Sequence, residues 1–459
     1  MPDAKPTSSA SAALLDTSRL NDLAERMVTA ARRAGADTAD ALAVRAISLG
    51  VELRDGSVEE SERSEGDDIG LRVFVGRRQA VVSSNDVKID IDELAARAVA
   101  MARVAPEDPY AGLADPAMLA RDIPDLDLVD PDLPTVADLE ERARRAEAAA
   151  LAVTGVTKWG GASASASIGG VVLVTSAGFR GSYVTSGQSV SMTAIAGEGT
   201  AMERDYDYSS ALHGADLEAP EKVGRTAGER TVERLSPRKV ETKRVPVVFD
   251  RRIAGTLVGH LAGAISGAAV ARKTSFLKDR MGERLLPAGI AVIDDPRRRR
   301  GLRSRPFDAE GVATARRAVI EDGVLVSWLL DCATARELGL TTTGHAQRGV
   351  SSTPSPGPSN LHLSAGKLSQ EALLADISAG FYVTDLIGMG VNPVTGDYSR
   401  GASGFWIENG RLSYPVSEVT IAGSLVDMFA SLEPANDLTF RYGTDAPTIR
   451  IEGLTVAGQ

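Results

Sequence analysis

Hydrolysis assisted by a metal or by a general base needs imidazole, carboxylate or thiol groups brought together, and helical spacing is one common way a sequence does this. The chain has four histidines, His213, His260, His345 and His362, and none lies within a short helical spacing of another. No HExxH or His-x-x-x-His helix can therefore be drawn. His260 is the one placed for chemistry, in the run Gly259-His260-Leu261-Ala262-Gly263-Ala264-Ile265-Ser266-Gly267 in the middle of a long helical pattern. A lone histidine there reads first as a core or interface residue held by one hydrogen bond, and second as one ligand of an incomplete set. The single cysteine, Cys332, excludes an intramolecular disulfide and any thiolate cluster, and reads as a small buried hydrophobe.

Other nucleophiles lack partners. Ser163, Ser165 and Ser167, and likewise Ser351, Ser352 and Ser355, offer hydroxyls without a neighbouring histidine or a G-x-S-x-G elbow, and Gly401-Ala402-Ser403-Gly404 reads as a turn. The acidic pairs Asp67-Asp68 and Asp294-Asp295 fall in strand-like runs, where adjacent side chains point to opposite faces and cannot easily share a proton. No phosphate-binding loop or dinucleotide fingerprint appears, so no nucleotide cofactor is expected. Arg297 to Arg300, with Arg303 and Arg305, form a basic run between Pro296 and Pro306 without interleaved aromatics. We read it as a surface loop. The net charge of −11 opposes phosphate, so no nucleic-acid partner is expected.

The elements that must position these groups follow from periodicity. Leu20, Leu23, Met27 and Ala31 predict an amphipathic helix; Ile91 to Val104, Thr135 to Val153 with Thr135 as N-cap, and Pro220 to Leu235 predict three more. Ala41 to Ile47, Val51 to Arg54, Ile69 to Val75 and Gln79 to Ser83 read as strands of a meander, with Asp55-Gly56 a hairpin signal. Val156 to Ala196 alternates like half-buried antiparallel strands, and Arg251 to Ala271 reads as one long helix. The expected fold is α+β in two domains: a flexible tail over 1–18, an N-terminal α+β domain over 19–240 with a Pro/Asp-rich connector at 106–134, and a β-rich C-terminal domain over 241–459. No run approaches the ~18 apolar residues of a bilayer span, and no secretory signal opens the chain, so a cytoplasmic protein without a membrane partner is expected.

Several runs, taken in order, resemble one family. They are Met202 to Tyr206 (MERDY), Leu235 to Lys239 (LSPRK), Gly259 to Gly267 (GHLAGAISG), Arg272 to Leu277 (RKTSFL) and Pro306 to Gly311 (PFDAEG), followed by Thr343 to Ala346 (TGHA), Thr395 to Trp406 (TGDYSRGASGFW), Ile407 to Gly410 (IENG) and Tyr414 to Gly423 (YPVSEVTIAG). On these runs the chain resembles the TldD/TldE proteins, also called PmbA or modulator-of-gyrase proteins, and within them the TldE/PmbA type. The resemblance implies that the TldD partner's matching helix carries HExxxH, two zinc ligands with a glutamate base, completed by a cysteine near the C-terminus. Here His260 keeps the first position, Leu261 stands at the glutamate and Ile265 at the second histidine, and Ala435 to Leu454 has no cysteine.

What this implies is a non-catalytic subunit with no cofactor of its own, zinc being expected in a TldD-type partner. Together the two would enclose a channel for an unfolded peptide. His260, Arg272, Lys273, Thr274, Ser275, His345, Tyr398 and Ser403, on the closest matches, are expected to face that channel or the partner. The alternative reading is a stand-alone binding or regulatory protein, for example one acting on DNA gyrase.

Overall fold

Leu20, Leu23, Met27 and Ala31 share the buried face of a helix, α1 (Ser18–Arg33), in the computed structural model, which describes residues 17–458. Most of the expected tail lies outside the described residues; Ser18 already opens α1. With α2 (Ile91–Val104), capped by Asp90 on the backbone N–H groups of Asp92 and Glu93, α1 covers one end of a six-stranded antiparallel sheet. Its strands are β1 (Thr38–Arg54), β2 (Ser57–Val75), β3 (Arg78–Ser84), β4 (Val156–Thr175), β5 (Arg180–Ala196) and β6 (Glu203–Ala211), in the order β3-β2-β1-β4-β5-β6.

Two expectations need correcting here. The separate runs Ala41 to Ile47 and Val51 to Arg54 form one strand, and Ile69 to Val75 is only the buried end of a 19-residue one. Ser57–Gly66 is exposed on both faces, so it shows no hydrophobic alternation, yet its backbone pairs along β1. The Asp55-Gly56 hairpin turn has positive φ at both residues, 57° and 65°, as a type I′ turn requires.

Strand alternation sorts the sheet into two faces. The odd-numbered residues of β1 and their cross-strand neighbours meet α1, α2, α3 (Val136–Leu151) and α4 (Pro220–Glu233). Thr135 caps α3 in a capping box with Asp138. At Gly224 of α4 an added Cβ would lie 1.9 Å from the Ala146 carbonyl oxygen, so the α3–α4 crossing is a backbone contact. The even-numbered face, with Asp40 and Leu42 of β1 and Arg72 of β2, turns to the C-terminal half. Leu42 and Leu173 pack on Phe307, and a Cβ at Gly70 would lie 2.0 Å from the Val350 carbonyl oxygen. Further along this face the serine-rich runs pair across strands, Ser163 with Ser191 and Ser165 with Ser189, each 2.8 Å apart. The 106–134 segment is largely irregular, with a short turn of 3₁₀ helix at Pro116–Met118, as its prolines demand.

The C-terminal half starts with β7 (Lys243–Phe249), which sits between Ala379–Ile387 and Ile449–Ala457 in a second sheet. Arg411–Ser424 pairs with both Asp397–Glu408 and Ile449–Ala457, so this sheet closes on itself. A smaller sheet is built on Val292–Asp294, Arg317–Glu321 and Leu361–Leu363. The long helix expected over Arg251 to Ala271 is two: α5 (Arg251–Ala264) and α6 (Gly267–Ala271). The break has a backbone cause. Ser266 turns extended (ψ 127°) to bridge Leu329, whose N–H donates to the Ile265 carbonyl at 3.0 Å while Gly267 N–H donates to the Leu329 carbonyl at 2.8 Å. Among the described residues no helix is long and apolar enough to cross a membrane.

Candidate functional site

Asp250, at the end of β7, starts α5. Its Oδ1 accepts from the Arg252 N–H at 2.8 Å and its Oδ2 from the Tyr382 hydroxyl at 2.7 Å. Ile253, Ala254, Leu257, Val258 and Leu261 form the buried face of the helix. On the other face Gly255, Thr256, Gly259 and Gly263 floor a cleft of about 720 Å³ walled by Tyr208, Arg252, Arg272, Arg303 and Tyr442. Gly255 is required by packing, since a Cβ would sit 2.6 Å from the Thr444 carbonyl oxygen. Gly259 and Gly263 are not: among the described residues nothing lies within 4 Å of a Cβ at either. Their missing side chains leave helix backbone open to the cleft. A cleft between α1 and α2 is as large, at about 780 Å³, but is rimmed mainly by Asp22, Glu25, Arg26, Arg33 and other polar residues of a solvated surface.

The wall of the cleft is set by a buried ion pair. Asp205, in β6, is 3% exposed and accepts from Arg252 Nη1 at 2.7 Å and Nη2 at 3.0 Å, from Arg234 Nη1 at 3.2 Å and from the Tyr206 N–H at 2.7 Å. Burial pushes its pKa up, but the bonds and charges of Arg252, with Tyr206 and Arg234, outweigh this and hold the carboxyl below its ordinary range. The pair clamps the edge of the first sheet to the first turn of α5. It stands Tyr208 beside Tyr442, with ring centroids 5.4 Å apart, and stacks Tyr206 on Tyr208. Asp205, Tyr208, Arg252, Arg303 and Tyr442 were not among the expected site residues. The available signal was the alternation Asp205, Tyr206, Asp207, Tyr208, which puts carboxylates on one face of β6 and rings on the other.

The donor set does not fit a catalytic zinc. His260 is half-buried, its ring edge-on to Tyr398 at 6.0 Å between centroids, and among the described residues neither its Nε2 nor the Tyr398 hydroxyl has a hydrogen-bond partner. Burial, then the charge of Arg400, lowers its pKa and favours a neutral imidazole. Leu261 and Ile265, at 2% and 0% exposure, are embedded in the hydrophobic core. Cys332 packs with Ala114 and Val312, and burial, followed by the Glu310 carboxylate, pushes its thiol pKa up, away from the thiolate a metal binds. Among the described residues no group of three or more His, Cys, Asp or Glu side chains is placed to hold a metal.

Of the residues expected to face a channel or partner, Arg272 and Thr274 line the cleft, Lys273 is exposed at φ 58°, and His260 lies one residue beyond Gly259 of the cleft floor. Four need correcting because they are buried. The Ser275 hydroxyl donates to the Ala264 carbonyl at 2.6 Å and so ties the following loop to the end of α5. His345 sits between Asp294 Oδ2 (3.2 Å) and Thr343 Oγ1 (2.8 Å), while Tyr398 and Ser403 lie inside the second sheet's packing. In the basic run, Arg299 and Arg300 pair with Asp127 at 3.1 and 2.7 Å. Tertiary folding brings the Phe440 ring under Arg298 at 3.5 Å, an aromatic contact absent from the run itself.

Comparison with known proteins gives three consecutive family matches: PmbA/TldA metallopeptidase domain 1 over residues 39–102, the central domain over 129–235 and the C-terminal domain over 242–458. The chain is 40% identical over 426 residues to metalloprotease PmbA of Escherichia coli O157:H7, covering 92% of this chain and 93% of that protein. It is 37% identical to a PmbA homologue of Haemophilus influenzae, covering 94% of each. Among solved structures it superimposes on a protein from Bacteroides thetaiotaomicron described as a candidate modulator of DNA gyrase, with a TM-score of 0.88, 27% identity and coverage of 96% and 99%. It shares its fold with TldE from Thermococcus kodakarensis, with a TM-score of 0.84, 20% identity and coverage of 95% and 100%. With its fold, its ordered motifs and its near full-length relatives in agreement, this chain belongs to the PmbA/TldD metallopeptidase family, as a PmbA/TldE-type member.

Proposed function

We propose that this chain is the non-catalytic subunit of a two-subunit zinc metallopeptidase, one that helps hold an unfolded peptide while a TldD-type partner carries the zinc. The carrying observation is that Leu261 and Ile265 lie in the core beside a lone His260, so water activation and proton removal have no groups to perform them here. Relatives named metalloproteases then supply the reaction class, and a partner the metal.

The α5 cleft suits the holding role. A floor of Gly259 and Gly263 exposes backbone, and walls of Tyr208 and Tyr442 grip an extended chain with little demand on its side chains, whereas a folded domain does not enter. Selection would rest on access and the work would be done in the cytoplasm. The test is cleavage of an unstructured peptide by this chain alone, by a TldD-type subunit alone and by the mixture, each with and without chelator. Activity confined to the mixture and abolished by chelator is expected. Chelator-sensitive cleavage by this chain alone, or full activity of the partner without it, overturns the reading.

A further inference from the structure

The first sheet ends in a long unpaired edge. β2 pairs with β1 along its length but with β3 only from Ile69 to Val75, so among the described residues Ser57–Asp68 has no strand on its outer side. Ser57–Gly66 is exposed at every position. About half the backbone N–H and C=O groups of such an edge face solvent, a template for another strand. Edges are often blunted by brevity, proline or a bulge. This one is long and without proline, and its register shift falls at Glu52/Leu53 beside the turn.

Charge decides what can pair there. Ser57–Asp68 holds six carboxylates against one arginine, a net charge of −5. Three of the six are paired within the hairpin: Glu59, the unpaired residue of the bulge, by Arg54 at 3.2 Å, Glu65 by Arg63 and Asp67 by Arg45 at 3.8 Å. The even-numbered face carries Glu60, Glu62 and Asp68, with Glu52 directly opposite Glu60. Among the described residues these four have no cation partner, and like charges face to face across a strand pair are destabilising. A second copy would set one net charge of −5 against another, so the edge selects against itself.

We propose that the Ser57–Asp68 edge is a docking strand for an extended, lysine- or arginine-rich segment of another protein. That segment adds to β2 through main-chain hydrogen bonds, and Glu52, Glu60, Glu62 and Asp68 select it. Alternate residues of an extended strand are about 6.5–7 Å apart, so cations at every second position match the Glu60–Glu62 repeat. The inference does not rest on the peptidase role, since the edge lies on a different strand from the α5 cleft.

The test uses the full chain and labelled peptides of about a dozen residues, read by fluorescence anisotropy at low and high salt. One alternates Lys and Thr, a second alternates Glu and Thr, and two more are Lys–Thr peptides N-methylated at one or the other alternate set of residues. The Lys–Thr peptide is expected to bind saturably and more weakly in high salt, and the Glu–Thr peptide not at all. One of the two N-methylated peptides should lose roughly tenfold or more in affinity, because its charge is intact but its ladder donors are gone. The exposed double variants E60K/E62K and E60Q/E62Q should lose a similar factor with an unchanged circular dichroism spectrum. Equal binding by both N-methylated peptides, undiminished binding by both variants, or no binding of the Lys–Thr peptide overturns the proposal.

Discussion

Removing the Asp205 carboxylate should uncouple the first sheet from α5 and open the cleft wall. Its side chain is 2% exposed and Arg252's is 9%, so Asp205→Ala leaves a nearly buried guanidinium with its two-pronged partner gone. Breaking a buried pair from one side costs about 3–5 kcal/mol, most of it the penalty of the stranded charge. Arg252→Ala strands the carboxylate instead, though Arg234 at 3.2 Å partly compensates, so it should cost less. The double variant should fall well short of the sum, with a coupling energy above about 1 kcal/mol. The sign of the pH dependence is also set. Asp205 has its folded pKa lowered, so the pair's contribution is full above the unfolded value of about 3.9 and is lost as pH falls through the folded value. The assay is urea denaturation of the four proteins, followed by tyrosine fluorescence because Tyr206 and Tyr208 flank the pair, at neutral pH and again in acid. Additive effects below 1 kcal/mol, or a difference between Asp205→Ala and the parent that persists unchanged in acid, would refute the clamp.

Gly259→Ala should raise stability by up to about 1 kcal/mol, since helix propensity improves and the Cβ meets nothing, whereas Gly255→Ala should destabilise by driving a Cβ against the Thr444 carbonyl; thermal melts separate the two. Burial, then the charge of Glu310, raises the Asp308 pKa to about 7, so this group's contribution to stability falls as pH rises from about 4 to 7, by at most about 1.4 kcal/mol per unit. Asp308→Asn should flatten that slope in denaturation curves taken across the range. Replacing His260 by leucine removes an unpaired ring nitrogen from a half-buried site and should leave the melting temperature unchanged or higher; a clear drop would mean that His260 holds a bond the structure does not contain. Gly70→Ala should weaken the contact between the two halves, detectable as earlier proteolytic cleavage near Val350.

Much of this protein was legible in its residues. Periodicity placed α2 at Ile91 to Val104, Thr135 did cap α3, and Asp55-Gly56 did turn a hairpin, because each depends on groups within a few residues of one another. The family and the α+β class followed from ordered motifs and patterning, and it was the family resemblance that set Leu261 and Ile265 against the HExxxH positions. Tertiary structure decided what distant groups do to one another. It broke the long helix at Ser266 because Leu329 offers a backbone partner, and it extended β2 through polar residues whose only reason to be a strand is the ladder with β1. It buried Ser275, His345, Tyr398 and Ser403, which family likeness alone had placed near a surface. It also assembled the cleft wall from Asp205 and Arg252, 47 residues apart, and from Tyr208 and Tyr442, which lie in different halves. Local backbone and capping chemistry is written in short windows of sequence, whereas burial and charge pairing depend on which surfaces the whole chain presses together.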